Sequence, residues 1–383
     1  MLDVTRRAIE DVREELVTLS HFIHAHPELG YEEFESAEAV ASAAEAAGFV
    51  VERGIADLPT AFRATKGTGE LHLVFCAEYD ALPDVGHACG HNIIAASSLG
   101  AAIGLAAVAD EIGVTVHLLG TPSEEGGGGK IDLINAGYFR GVHAAMMVHP
   151  WPHERLEAAC LAVDHFDVTY EGKEAHASAA PYEGVNALDA LTIAQVAVGL
   201  LRQQLRPGDQ VHGIVIEGGA AANIIPRRAV GRFMARSVTA ERLAHLRDRL
   251  SGCFEAGARA TGATLAVNEI GSAFSHMVSD RDILAHYRRA AEGVGRVFAL
   301  DDDGAPLPTL STDMANVSLV VPSIHPLLAI PTHGAVNHQP EFTAACVTAA
   351  ADEAVIDGAV ALAHTALAVA TDAPLRQRLL ARR

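Results

Sequence analysis

The order of apolar periodicities predicts an α/β protein: a large α/β domain with a mixed, largely parallel sheet, interrupted by a ferredoxin-like α+β domain. Three observations carry this. Strand-like apolar runs alternate with helical stretches through residue 150. Near residue 162 the pattern changes to a βαββαβ order that lasts to about residue 272. After Gly271 the helix-rich α/β character returns. Half of the 383 residues are apolar, enough for more than one core.

The elements follow in order. Val4, Ala8, Ile9, Val12, Leu16, Leu19 and Ile23 recur at helical spacing, so one amphipathic helix is expected over 3–25, ending before Pro27 and Gly30. A second helix is expected from about Glu35 to Ala47, closed by Gly48. Strands are expected at TAFRAT (60–65), LHLVFCA (71–77), VTVHLLG (114–120) and AAMMVHP (144–150), with helices at 93–110 and 130–136 between them. AVDHFDVTYEG then reads as a long alternating strand. A helix at 185–202, strands at 212–217 and 229–237, a helix at 240–262 and a strand at 264–270 complete the inserted unit. The domains expected are 1–161 with 273–383, and 162–272.

Composition narrows the function. The formal net charge is −20 and no Lys/Arg run has the density of a nucleic-acid patch, which disfavours a nucleic-acid partner. Five cysteines, few and widely spaced, do not form a disulfide framework and suit a reducing, cytoplasmic setting. The N-terminus carries acids from the start, unlike a signal peptide, and no stretch is expected to span a membrane. Twenty histidines are many, and histidine is a frequent metal ligand and acid/base group.

The chemistry-bearing residues fall just after the predicted strands, where open α/β sheets place their sites. EYDALPDVGHACGHN (78–92) gathers Glu78, Asp80, Asp84, His87, Cys89 and His91, with Gly86 and Gly90 permitting tight turns. On an extended segment Cys89 and His91 would point the same way, as ligands for a zinc-like metal; alone, the pair fits a polar turn as well. TPSEEGGGGK (121–130) places Glu124 and Glu125 before four glycines, and lacks the spacing of a P-loop. In an extended turn these two carboxylates would point apart, one toward a metal and one toward substrate. His149 ends the run MMVHP, and His333 and His338 lie in THGAVNHQPEF. Each is weak alone. Their order along the chain supplies a ligand set from several strand ends.

Taken together, HPELG, EYDALPxxGHACGHN, TPSEEGGGGK, MMVHP, GKEAHASAAPYEGVNALDA and NHQPEF resemble, in order, metallopeptidase family 20 of clan MH. These are dinuclear metallohydrolases that include aminoacylases, bacterial glutamate carboxypeptidases and auxin-conjugate amidohydrolases. The likeness covers nearly the whole chain and is greatest to the branch of β-alanyl-lysine dipeptidases and aminobenzoyl-glutamate hydrolases. It implies two divalent metal ions, zinc first, with manganese, cobalt or nickel as alternatives. Cys89 would bridge them, with His91, Glu125, His149 and His338 as further ligands. Glu124 would be the general base, and Asp80 would orient a ligand. The inserted domain would form a homodimer, His176 steadying the oxyanion and Asn223 and Arg236 holding the substrate's carboxylate, all from the partner subunit. Without the resemblance, Arg236 reads as a surface ion pair.

Two positions depart from relatives. Glu78 stands where many have a histidine ligand, which questions the second metal. Asn92 stands where another branch has Asp, which favours the dipeptidase-like branch. The function implied is hydrolysis of a dipeptide or N-acyl amino acid with a free carboxylate, the alternative being an aminobenzoyl-glutamate or other N-acyl-glutamate amidase. A metal-binding oligomer partner without catalysis is the reading of another class, which the retained Glu124, Glu125 and His176 oppose. No membrane partner is expected. An α/β oxidoreductase lacks its glycine fingerprint.

Overall fold

A computed structural model describes residues 1–382, which divide into two compact units: residues 1–159 with 277–382, and Cys160–His276. The larger unit is built on six strands, β1 (Val50–Arg53), β2 (Phe62–Lys66), β3 (Leu71–Ala77), β4 (Val114–Gly120), β5 (Ala144–Met146) and β6 (Ser323–Ile324), in the order β1-β2-β4-β3-β5-β6. The pairs β4-β3, β3-β5 and β5-β6 are parallel, while β1-β2 and β2-β4 are antiparallel. The sheet is thus mixed and largely parallel at its centre. β3 and β4 run over the residues their apolar patterns mark, because both are buried on two faces and read as continuous apolar runs.

Two apolar helices fill the core of this unit. His91–Ala106 is buried nearly all round and packs against the 23-residue helix Ala349–Thr371. At Gly100 a Cβ would fall 2.8 Å from the Ala359 and Leu16 side chains, so the close approach of three helices there depends on the missing side chain. Helix Ala349–Thr371 corrects one expectation: by length and composition it could cross a membrane. Most of it is buried against its neighbours instead, which identifies it as a core helix.

The N-terminal segment is two helices, Leu2–Glu10 and Arg13–Ala25, rather than one over 3–25, because Val12 leaves the helical basin at φ −113°, ψ 18°. Both still turn Ile9, Leu16, Leu19 and Ile23 into the core. The expected strand 144–150 is likewise two pieces, Ala144–Met146 in the main sheet and His149–Trp151, which pairs in parallel with Leu327–Ala329.

The second unit is βαββαβ. Its strands, Ala162–Glu171, Gln210–Glu217, Arg228–Ser237 and Thr264–Glu269, form one antiparallel sheet in the spatial order fourth, first, third, second. This is the ferredoxin-like arrangement. Helices Ala187–Leu201 and Ala240–Thr261 pack on each other and cover the sheet. Its core holds Phe166, Phe233 and Phe254, with ring centroids 5.1–6.0 Å apart.

Candidate metal centre

The site lies beyond the carboxyl ends of β3 and β4. After β3 the chain makes a tight turn with left-handed Asp84, Gly86 and Gly90 (φ 66°, 71° and 74°), and His91 opens the long core helix. Cys89 and His91 therefore do not lie on an extended segment, as the spacing suggested. The left-handed Gly90 between them brings both side chains inward, and a Cβ on it would strike Pro150 at 2.8 Å. His91 Nδ1 bonds the carboxylate and the backbone oxygen of Asp80, each at 2.9 Å. This orients the ring and leaves Nε2 buried without a hydrogen bond, 3.5 Å from Glu78 and 3.9 Å from Glu125. His149 is set the same way, its Nδ1–H donating to the Pro150 carbonyl at 2.8 Å.

After β4, the TPSEEGGGGK turn carries Glu124 and Glu125. One oxygen of each lies within 4.8 Å of the other and of a His91 ring nitrogen, so the two carboxylates converge instead of pointing apart. The turn is not extended: Ser123 has φ 57°, and its carbonyl accepts from Gly127 and Gly128 N–H at 3.2 and 2.7 Å. From the C-terminal region, His338 (φ 72°) is hung from the Ala88 carbonyl through its own N–H at 3.0 Å, and its Nε2 lies 3.7 Å from Glu125.

Four potential ligand groups result among the described residues, each with its ligand atoms within 4.8 Å of one another: Cys89–His91–His149 and Cys89–Glu125–His338, which share Cys89, together with His91–Glu124–Glu125 and Glu78–Glu124–Asp313. A thiol, imidazoles and a carboxylate in this arrangement fit divalent, zinc-like ions, and the orphaned His91 Nε2 is the atom such an ion would satisfy. Electrostatics agree. Burial, with Glu125 and Glu124 beside it, holds the Cys89 thiol far above its usual range. Burial and the neighbouring Glu78 and Glu125 push the Glu124 carboxyl well up. Burial, His325 and His91 keep His149 neutral. The thiol and the carboxyl shed their protons when a cation lies among them, and the imidazole is already in the neutral form that ligates.

Glu78, read as a departure, is fully buried: its Oε1 accepts from Lys130 Nζ at 2.6 Å, and its Oε2 lies 3.5 Å from His91 Nε2. Lys130 also donates to Asp313 at 2.6 Å, and its backbone N–H to the same carboxylate at 2.9 Å. Sequence reasoning missed Lys130, Asp313, Glu33 and the buried His325, whose ring centroid is 5.4 Å from that of His149. A lysine closing a glycine run after a buried strand was the available signal. Asp313 gave none.

The remaining residues singled out in the sequence lie in the second unit. His176 is exposed, and its Nδ1 accepts from the N–H of Ala179 and Ser178 at 3.2 and 3.3 Å. Asn223 is its neighbour, its carbonyl accepting from Ala177 N–H at 3.1 Å. Arg236 is half-buried, donates to Met234 Sδ at 3.4 Å, and among the described residues has no carboxylate within 4.0 Å. The surface ion pair is therefore not formed.

The family model for peptidase family M20/M25/M40 matches residues 74–367. The Xaa-Arg dipeptidase of Mus musculus is 39% identical over 376 residues, covering 94% of this chain and 87% of that protein. One of the subunits of the Escherichia coli (strain K12) p-aminobenzoyl-glutamate hydrolase is 32% identical over 279 residues, covering 67% of this chain and 58% of its own. Among solved structures, a dinuclear metal binding peptidase of the M20 family from Bacillus subtilis superposes with TM-score 0.71 at 21% identity, covering 94% of this chain and 99% of that one. An aminobenzoyl-glutamate utilization protein from Klebsiella pneumoniae gives 0.73 at 19%, covering 98% and 99%. The chain belongs to peptidase family M20/M25/M40 and is a metal-dependent hydrolase of peptide and amide bonds.

Proposed function

We propose that the protein is a homodimeric dipeptidase that uses two divalent metal ions, zinc first among them, and cleaves dipeptides ending in a basic residue. The observation that carries the metal reading is the pair of ligand groups joined at Cys89, with Glu124 beside them. The substrate reading is supported by the Xaa-Arg dipeptidase relative, matched over 94% of the chain. Bound between these groups, divalent ions supply Lewis acidity and allow water to ionise near neutral pH. Glu124 takes the proton of the attacking water and returns it to the leaving nitrogen. Asp80 orients the His91 ring through its 2.9 Å bond to Nδ1, so that Nε2 would be the atom to hold an ion. His176 steadies the tetrahedral oxyanion, and Asn223 and Arg236 take the substrate's carboxylate, all supplied by the partner subunit.

Support for the dimer comes from the edge strand Gln210–Glu217, which leaves Ile214, Ile216 and Val215 exposed at 61, 50 and 46%. Helix Ala187–Leu201 exposes Val196 and Leu200 in the same unit. An apolar, unpaired edge of this kind invites pairing with a second copy. The five cysteines form no disulfide among the described residues, which suits the cytoplasmic setting proposed from the sequence.

The test is hydrolysis of β-alanyl-lysine, alanyl-arginine, other basic dipeptides, N-acetyl amino acids and p-aminobenzoyl-glutamate, with and without chelator. Chelator-sensitive turnover led by a basic dipeptide is expected. Preference for p-aminobenzoyl-glutamate would move the protein to the N-acyl-glutamate amidases, the reading the Escherichia coli relative supports. A Glu124→Gln variant with full turnover would remove Glu124 from the mechanism.

A further inference from the structure

The segment HPELGYEE, residues 26–33, has no part in the ligand groups, yet it packs beneath the turn that carries Glu124. The Glu28 carbonyl accepts from Ala81 N–H at 2.8 Å, beside Asp80, and its carboxylate accepts from Glu35 and Ser36 N–H at the start of the next helix. Tyr31 donates to Asp132 at 2.6 Å, just past the glycine run. Gly30 lies against Ser123 so closely that a Cβ would sit 2.3 Å from its Oγ. Glu33 ends the segment and is fully buried. Its Oε1 accepts from Ser123 N–H at 2.7 Å and its Oε2 from the Thr60 hydroxyl at 2.9 Å.

Two residues along the same turn, Glu125 N–H donates to the buried Asp80 carboxylate at 2.9 Å. Glu124 thus stands between two backbone N–H groups, each fixed by a buried carboxylate. Ser123 needs the help, since at φ 57° it occupies the left-handed region that a non-glycine residue seldom adopts. Burial, with Asp80 near it, raises the Glu33 carboxyl to about 7. A group so unfavourably placed is accounted for by the two donors it satisfies.

We infer that Glu33 is a positioning residue for the hydrolysis: it holds Ser123 in the left-handed conformation that directs the Glu124 carboxylate toward His91 and Glu125. The inference rests on Glu124 being the general base, and the experiment separates the two. Misplacing a reacting group by about 1 Å lowers a rate roughly 100-fold.

The metal-loaded enzyme is assayed with whichever dipeptide of the panel it hydrolyses fastest. Glu33→Ala is expected to lower kcat about 30- to 100-fold, with KM within about 3-fold and the parental metal content per chain by elemental analysis. Glu33→Gln keeps an oxygen for Ser123 N–H, while Thr60 can accept from its amide, so kcat is expected within about 5-fold of the parent. In a Glu124→Asp background, where the carboxylate is already withdrawn, Glu33→Ala is expected to cost less than about 3-fold, since coupled positions are not additive. Should Glu33→Ala fail to fold, Thr60→Val is read instead; it removes one anchor of the carboxylate, and a kcat loss of about 5-fold is expected. The inference is overturned by parental kcat in the variant read, by equal cost of Glu33→Ala in both backgrounds, by Glu33→Gln as slow as Glu33→Ala, or by loss of metal in step with activity. Parental kcat in Glu124→Asp and Glu124→Gln would instead remove the general-base reading.

Discussion

Lys130 is the sharpest test of the architecture. Its ammonium and the carboxylates of Glu78 and Asp313 are all fully buried, with Nζ 2.6 Å from each. Replacing such a network by well-packed apolar groups can be neutral, but removing one partner leaves an uncompensated charge and costs about 3–5 kcal/mol. Lys130→Met orphans two carboxylates, so a loss toward the upper end of that range, about 4–5 kcal/mol, is expected at pH 7. Burial, Glu78 and the other neighbours already hold the Asp313 carboxyl up at about 6 against the pull of Lys130. Without the lysine the Asp313 carboxyl takes up a proton still more readily in the folded than in the unfolded chain, so the variant's stability should rise as pH falls from 7 toward 5. Guanidinium unfolding of the chelated protein measures this. Trp151, the single tryptophan, lies in the same unit and reports on it. Adding Glu78→Gln and Asp313→Asn should recover most of the loss. A cost under about 1 kcal/mol for Lys130→Met, or no recovery in the triple variant, would refute the view that this lysine neutralises the pocket.

Three further outcomes follow from the same structure. His117 is a buried link in a histidine chain, its Nε2 3.0 Å from His72 Nδ1 and its Nδ1 3.0 Å from the Thr65 hydroxyl, and burial lowers it to about 4. The unfolded chain binds that proton first, so stability is fully present above about pH 6.5 and falls between 6.5 and 4, by up to about 3 kcal/mol; an unchanged slope over that interval in His117→Gln would show the group is not responsible. Charging the exposed apolar edge with Ile214→Lys and Ile216→Lys is expected to convert a dimer to monomers by light scattering, and a persistent dimer would place the interface elsewhere. Because Cys89 belongs to both ligand groups and His338 to one, Cys89→Ala should bind neither ion tightly and His338→Ala about one fewer than the parent by elemental analysis, with equal metal content in the two variants counting against the shared thiol.

What could be read from the sequence divides along one physical line. Where backbone geometry is regular, local pattern suffices: β3 and β4 occupy 71–77 and 114–120 because apolar strands buried on both faces, bounded by glycine and charge, leave little choice. The βαββαβ order of the second unit was legible for the same reason, each strand and helix keeping its own period. The site is where the chain departs from regular geometry. Reading Cys89 and His91 as an extended pair, and Glu124 and Glu125 as diverging, assumed a period of two that Gly90 and Ser123 break at φ 74° and 57°. The residue types were legible and their directions were not.

The charged residues beneath the site were hidden for a different reason. Lys, Glu and Asp belong by default in water, and nothing local marks an exception. Lys130 is buried because Asp313, 183 positions away, meets it there, and Glu33 because Ser123, 90 positions away, does. Such partners are set by topology: β3 and β4 lie side by side, so their following turns, with the helix that begins at Met314 behind them, share one end of the sheet. The same placement explains why Glu78 need not be a lost ligand. One of its carboxylate oxygens is tied to Lys130 and the other lies 3.5 Å from His91 Nε2, while His91 and His149 supply the ring nitrogens beside Cys89. A position that looks like a deletion from a metal site in the sequence is thus, in the fold, one half of the ion pair that lets several carboxylates share a buried pocket.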